Sequence, residues 1–231
     1  THKTMKRFNK LFIILLCCVG AMSITSCINS DDDGGIDPET YRTYLTQMAG
    51  PYNGFSSDWR YQNKIYFYND TITDKNNPYK TDSVENISGT VRTDSTFTIY
   101  NVPGRVLAKA IPDSHKSLKE AIEAAPAQTI DGSFLLYNIS SIVSFFAYPQ
   151  SVVYDELTYD GETHKDVTIA FWGPTGGQYG FINSHKIMQL SLVPAAIYEG
   201  KDNTATKLVD ICSNSNTTEI QNASLTVQIA D

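Results

Sequence analysis

The chain reads as mainly β, an antiparallel β-sandwich with two short helices or, alternatively, a β-barrel. Three observations predict this. Eleven short runs rich in Val, Ile, Phe, Tyr and Thr are separated by turn residues. Only two segments combine a helix-start signal with a helical apolar period. No linker-like stretch divides residues 38–231, so one domain is expected, with 112–117 and 126–132 as the only places for a second boundary.

The first helix is announced by Asp37-Pro38-Glu39, an N-cap, a proline in the first turn and an acid facing the helix dipole. Tyr41, Tyr44, Leu45 and Met48 follow at helical spacing, and Gly50-Pro51 stops the run. The second is announced by Ser117-Leu118-Lys119-Glu120, which has the form of a capping box, with Leu118, Ala121, Ile122 and Ala125 as its stripe and Pro126 as its stop. The strand runs are 64–69, 87–93, 96–102, 105–111, 133–148, 152–159, 165–172, 178–182, 187–193, 207–212 and 223–230. Thr93-Asp94-Ser95 and Asp160-Gly161 read as hairpin turns. Phe97/Ile99 and Val167/Ile169/Phe171 alternate, as strands with one wet face do. Phe134 to Tyr137 and Ile142 to Phe146 are nearly continuous, which predicts a central strand covered on both sides.

The 231 residues carry 18 basic and 25 acidic side chains, a net charge of −7. No block of Lys and Arg exists, so a nucleic-acid partner, which needs a basic face, is excluded. The N-terminal segment is a different object from the rest. Lys6, Arg7 and Lys10 precede Leu11 to Met22, 12 residues without a charge. A membrane span needs about 20 apolar residues, whereas a secretory signal needs fewer. Residues 1–26 therefore read as a signal peptide, 27–37 as an acidic tether and 38–231 as the body.

Ile24-Thr25-Ser26-Cys27 resembles the lipobox of bacterial lipoproteins, in which cleavage exposes a cysteine that takes fatty acyl chains on its sulfur. The resemblance implies acylation at Cys27, palmitate being one such chain, and a protein anchored to a membrane rather than spanning it. Asp31, Asp32 and Asp33 follow at once and resemble the surface-export signal of Bacteroidetes lipoproteins. A plain flexible tether is the alternative reading of these acids. A calcium loop fails on spacing, because Arg42 stands where the twelfth-position Glu belongs. The implied location is the outer membrane, at the cell surface. Cleavage leaves 14 basic and 25 acidic groups and one cysteine, Cys212, beyond the anchor. No intrachain disulfide can then form, and Cys212 reads as a small buried hydrophobe.

Chemistry is sparse. No His-Glu-x-x-His, Cys-x-x-Cys or Gly-x-Ser-x-Gly is present, and His115, His164 and His185 are not at metal-ligand spacing. No metal, cofactor or catalytic residue is expected. The loop Gly173 to Gly180 lacks the Lys-Ser/Thr of a phosphate cradle and reads as a strand connection. Asp155 and Glu156 are adjacent and point to opposite faces of a strand, so they cannot flank one glycosidic bond. Aromatic residues are the remaining lead, with 14 Tyr, 10 Phe and 2 Trp. Trp59, Tyr61, Trp172 and Tyr179 lie where strands meet loops and are candidates for stacking on a sugar or anchoring a protein.

Asp70-Thr71-Ile72, Asp82-Ser83-Val84 and Asp94-Ser95-Thr96 resemble the short O-glycosylation sequon of exported Bacteroidetes proteins, which would make Thr71, Ser83 and Ser95 acceptors. The body is similar to uncharacterised β-rich lipoprotein domains of gut Bacteroidetes, on Ala49-Gly50-Pro51-Tyr52-Asn53-Gly54 and on Phe97 to Pro103. The Gly-x-Tyr-x-Gly opening also resembles calycin-like barrels. The expected function is a non-catalytic surface lipoprotein that binds a glycan or serves an outer-membrane complex. A barrel holding a small apolar ligand is the alternative, and a glycoside hydrolase-like enzyme a third reading. Replacing Cys27→Ala should leave an unacylated chain that takes up no labelled palmitate, read by mass spectrometry; acylated protein from that variant would refute the lipobox.

Overall fold

The computed structural model describes residues 35–54, 61–68, 84–201, 204–212 and 217–231. Helix α1 (Pro38–Met48) leads into β1 (Gly50–Tyr52), β2 (Lys64–Phe67), β3 (Val84–Glu85), β4 (Ser88–Val91) and β5 (Thr96–Val102). Helix α2 (Gly104–Ala108), a 3-10 turn at Asp113–His115 and α3 (Lys116–Ala124) come next. The chain continues through β6 (Gln128–Asn138), β7 (Val143–Pro149), β8 (Val152–Tyr159), β9 (Glu162–Phe171), β10 (Thr175–Ile182) and β11 (His185–Leu192). It ends with β12 (Pro194–Glu199), β13 (Thr206–Asp210), α4 (Thr217–Ala223) and β14 (Leu225–Ala230).

The fold is mainly β and antiparallel, with short helices. Ten strands form one sheet in the order β1-β4-β5-β6-β7-β10-β11-β14-β2-β3, and four form a second in the order β13-β12-β9-β8. The large sheet curls until its ends meet. β3 pairs with β2 at one extreme, while β4, only Asn86 and Ile87 further along the chain, pairs with β5 near the other. Register shifts after Ile99 in β5 and after Leu136 in β6 supply local curvature, as bulges do. Asn101 takes a left-handed φ of 62° at the first of them.

One buried side chain stitches the seam. Asn63, 5% exposed, donates from Nδ2 to the carbonyls of Tyr52 at 2.8 Å and Ile87 at 3.2 Å. Its Oδ1 accepts from the Ala230 amide at 2.6 Å. The amide of Gly54 donates to the Ala230 carbonyl at 2.7 Å beside it.

The inside of the curled sheet is filled with side chains. Phe97, Phe134 and Phe145 are fully buried, and Leu190, Val227 and Ile229 pack in the same core. Each such ring contributes about 1.5–3 kcal/mol relative to exposure. Space is tight enough that a Cβ on Gly177 would overlap the Phe145 ring, and one on Gly132 the Phe97 ring.

Both ends are stoppered. At one, Leu45 and Met48 of α1 are buried, the Tyr52 hydroxyl donates to the Met48 carbonyl at 2.6 Å, and the Tyr41 hydroxyl accepts from the Leu136 amide at 3.4 Å. At the other, the chain leaves the sheet after β7 and returns at β10, then leaves after β11 and returns at β14. The two excursions carry the β8–β9 and β12–β13 hairpins, which pair into the second sheet. Helices α2 and α3 cover the same end, with Gly104 so close to the Ile122 carbonyl that no side chain would fit. Val152, Leu157, Ile169 and Ile197 of the second sheet belong to the same continuous core as the barrel rings.

Several elements match their sequence signals. The Asp37 carboxylate caps α1 by accepting from the amides of Glu39 and Thr40 at 3.1 and 3.0 Å. Both expected hairpin turns are present. Other segments differ. Residues 105–111, expected as a strand, form α2 and its trailing turns, in which the consecutive residues Val106, Leu107 and Ala108 are all buried, with Ile111 after them, where a strand with one wet face would bury alternate residues. Residues 133–148 are not one doubly covered strand but the β6–β7 hairpin, with Phe134, Leu136, Phe145 and Ala147 inward and Tyr137 and Phe146 exposed. Helix α3 starts at Lys116 on the preceding 3-10 turn and its cap makes no side-chain hydrogen bond, so Ser117 does not cap it. Strands β1 and β12 and helix α4 had no clear sequence signal.

Replacing Asn63→Ala leaves buried amide and carbonyl groups without partners, each worth about 1–3 kcal/mol. Urea unfolding should show a loss of at least about 2 kcal/mol. A loss under about 0.5 kcal/mol, the range of an ordinary surface change, would contradict the seam.

Candidate functional site

Among the described residues a concavity lies outside the barrel, where the chain returns from α4 into β14. It is a cleft of about 490 Å³. Tyr68 and Trp172 form aromatic walls, Ile220 and Gln221 of α4 a third side, and Gly176, Ser191 and Thr226 the floor. Alternation decides this floor. In β10 the residues Thr175, Gly177 and Tyr179 are buried, so Gly176 and Gln178 face out.

Trp172 follows the last residue of β9 and is half-buried. Its amide donates to the Val193 carbonyl and its Nε1 to the Cys212 carbonyl, both at 2.8 Å. It packs with Val193, Ala223 and the buried Cys212 in a small cluster under α4. Trp172 is thus held rigidly by its edge. Tyr68 is 56% exposed and is held through its backbone, whose amide donates to the Ser224 carbonyl at 2.9 Å. The Thr175 hydroxyl donates to the Ser191 carbonyl at 2.6 Å and fixes the floor. Among the described residues no carboxylate, imidazole or amine lines the cleft.

Of the described aromatic residues singled out in the sequence (Tyr61, Trp172 and Tyr179), Trp172 alone lines it. Tyr179 does not, and this corrects the expectation. It is 2% exposed, points into the barrel, meets Phe181 edge-on at 5.5 Å and donates its hydroxyl to the Gln47 carbonyl at 3.2 Å. Tyr61 is half-buried in the turn before β2, away from the cleft lining. Trp59, Thr71 and Ser83 lie outside the described residues, as do Cys27, Asp31, Asp32 and Asp33. Ser95 sits at a left-handed φ of 64° in the β4–β5 turn, where Asp94 accepts from the Thr96 amide and hydroxyl at 3.2 and 2.6 Å. Tyr68 was missed, although its alternation with Tyr66 in the 64–69 run places both on one face.

The histidines stand apart from the cleft. His164 stacks on Tyr159 at 3.7 Å and pairs through Nδ1 with Glu199 at 2.9 Å. His185 lies 3.3 Å from Asp231. Among the described residues no group of three His, Cys, Asp or Glu gathers as a metal site would require. Among them, too, no helix is long and apolar enough to cross a membrane.

The geometry defines a class: a curled, core-filled antiparallel β protein with a cleft on its outer wall whose described lining is aromatic and neutral. Residues 47–199 match the family described as Domain of unknown function (DUF4840), and the chain belongs to it. That span contains Trp172, Gly176 and Ser191 and stops short of α4 and β14. Comparisons with curated proteins and with solved structures find no match.

Burial pushes the Tyr179 phenol up to about 12, helped by the charge of Asp231, and it pushes Tyr159 up to about 12, helped by Glu199 and Asp160. Burial raises Tyr52 and Tyr154 further. The unfolded chain ionises these phenols near pH 10, before the folded chain does, so their contribution is intact below about pH 10 and is lost as pH rises toward about 12. Urea unfolding across that interval should show falling stability, and a flat profile would contradict the burial of these rings.

Proposed function

We propose that this protein is a lipid-anchored lipoprotein of the outer membrane, displayed at the cell surface, that binds a glycan in the cleft without transforming it. The observation that carries the reading is the cleft lining. Two aromatic faces, Trp172 and Tyr68, stand over a floor of glycine, serine and threonine with the carboxamide of Gln221 at the side. Sugar rings present apolar C–H faces and a rim of hydroxyls, so aromatic walls with neutral hydrogen-bonding groups suit them. Glycoside hydrolysis needs two carboxylates across the scissile bond, and the described lining holds only neutral residues, which favours binding over cleavage in this reading. The barrel interior is occupied by the buried rings of Phe97, Phe134 and Phe145, so ligand binding is assigned to the wall rather than the lumen.

The cellular part of the proposal rests on the leader. Cys27 would carry the acyl chains and Asp31 to Asp33 would direct export to the outer leaflet, with the tether reaching at most about 35 Å. Ser95, at an exposed hairpin turn, together with Thr71 and Ser83 would be O-glycosylated in that compartment. No cofactor is assigned.

A glycan array probed with the full chain should return neutral oligosaccharides. Tyr68→Ala, a change at an exposed ring, should weaken the best of them about tenfold by calorimetry while the unfolding midpoint stays put. Absence of any glycan bound at millimolar concentration would overturn the proposal.

A further inference from the structure

The outer wall beyond the cleft carries an ordered pattern. The strand registers pair Leu135 with Phe146, Phe146 with Gly176, Ser191 with Thr226 and Thr226 with Tyr66. The pairing of Gly177 with Leu190 brings Ser191 beside Gly176, so these six form one row across β6, β7, β10, β11, β14 and β2. A second row runs parallel to it through Ser144, Gln178, Gln189, Gln228 and Lys64. Three consecutive members are glutamines, and Gln189 Nε2 donates to Gln228 Oε1 at 2.7 Å.

Five features make these rows a continuation of the cleft. Gly176 and Ser191 belong to both the cleft floor and the first row. Gly176 is exposed, with open space where a Cβ would stand, so a ligand can approach the β10 backbone. On the far side Tyr137, 52% exposed, stacks on Phe146, 38% exposed, with ring centroids 4.4 Å apart. That stack is a second exposed aromatic group, one strand beyond the Gly176 edge of the cleft floor. In the second row Gln178 and Gln189 are exposed carboxamides. The exposed positions of both rows carry no charge, in a chain with 25 acidic and 18 basic residues; Lys64, at the end, is buried.

We infer that the binding surface takes an extended neutral oligosaccharide laid across the strands, with one end in the cleft and the other on the Tyr137–Phe146 stack. This rests on the glycan reading of the cleft and adds a direction, a length and a charge class to it. β7 to β2 spans four strand steps, about 19 Å at ~4.8 Å each, which accommodates several sugar rings in a line. An anionic polysaccharide finds no exposed cation on the rows. Neutral hydroxyls complement the amides, and the glycine floor lets rings sit low beside the aromatic side chains.

The test uses calorimetry on the full chain with disaccharides and hexasaccharides of neutral glucan, xylan, mannan and galactan, and with a hexasaccharide of polygalacturonate. The neutral hexasaccharide should bind more tightly than its disaccharide. Phe146→Ala should weaken the hexasaccharide about tenfold and leave the disaccharide unchanged, and Gln178→Ala should act in the same direction. Both positions are exposed, and circular dichroism verifies the fold. Equal affinity for both lengths, an unchanged hexasaccharide in Phe146→Ala, or preference for polygalacturonate would overturn the extension while leaving the cleft reading standing. No binding of any neutral sugar by the unaltered chain would overturn both.

Discussion

The carboxamide of Asn63 is the interaction on which the rest of the architecture depends. A curled sheet leaves backbone groups at its seam that cannot be paired by a continuing ladder, and buried groups of that kind are costly. Asn63 carries two donor hydrogens and an acceptor on one rigid plane, and it spends them on Tyr52, Ile87 and Ala230, which come from β1, the β3–β4 junction and β14. A shorter hydroxyl could not bridge three strands, and a hydrophobe would leave all three unsatisfied. The closure is a polar event at the edge of a core otherwise built from aromatic and aliphatic packing. Surface ion pairs such as Lys116–Glu120 and Lys165–Glu156 are exposed and worth about 0–1 kcal/mol each, so they do not decide the fold.

Closure and filling together determine where a ligand can go. Rings occupy the lumen, α1 covers one end, and α2, α3 and the second sheet cover the other. What is left is the outer wall. The second excursion of the chain, through β12, β13 and α4, lands α4 against that wall as it returns into β14, and this creates the cleft. Tyr68 is fastened to the same return through the Ser224 carbonyl. The site is therefore a by-product of connectivity, built from segments that are distant in sequence and adjacent at one end of the barrel.

Local signals were legible. The Asp37 cap, the Asp160-Gly161 turn and the alternation of Val167, Ile169 and Phe171 depend on neighbours a few residues away, and the structure reproduces each. Non-local decisions were not. Residues 105–111 have strand-like composition yet form a helix packed closely on α3, with Gly104 against the Ile122 carbonyl, a non-local contact with no trace in the local pattern. Ile142 to Phe146 looked doubly buried because its outward side chains are aromatic and aliphatic; they stand on an exposed wall. Trp172 and Tyr179 looked equivalent in the sequence, yet the inward phase of β10 buries one while the end of β9 leaves the other at the cleft. Counting inward and outward positions from the glycines of β10 would have separated them. The three-glutamine row was invisible because its members come from three strands brought together only by register.

The central claim is that this protein recognises its ligand on the outside of a filled, curled sheet. Backbone amide chemical shifts of the full chain, followed during titration with its tightest oligosaccharide, test it most directly. The account predicts that Gly176, Gln178, Ser191 and Thr226 move while Phe97, Phe134 and Phe145 hold still. Shifts concentrated on those three rings, with the outer wall silent, would contradict it.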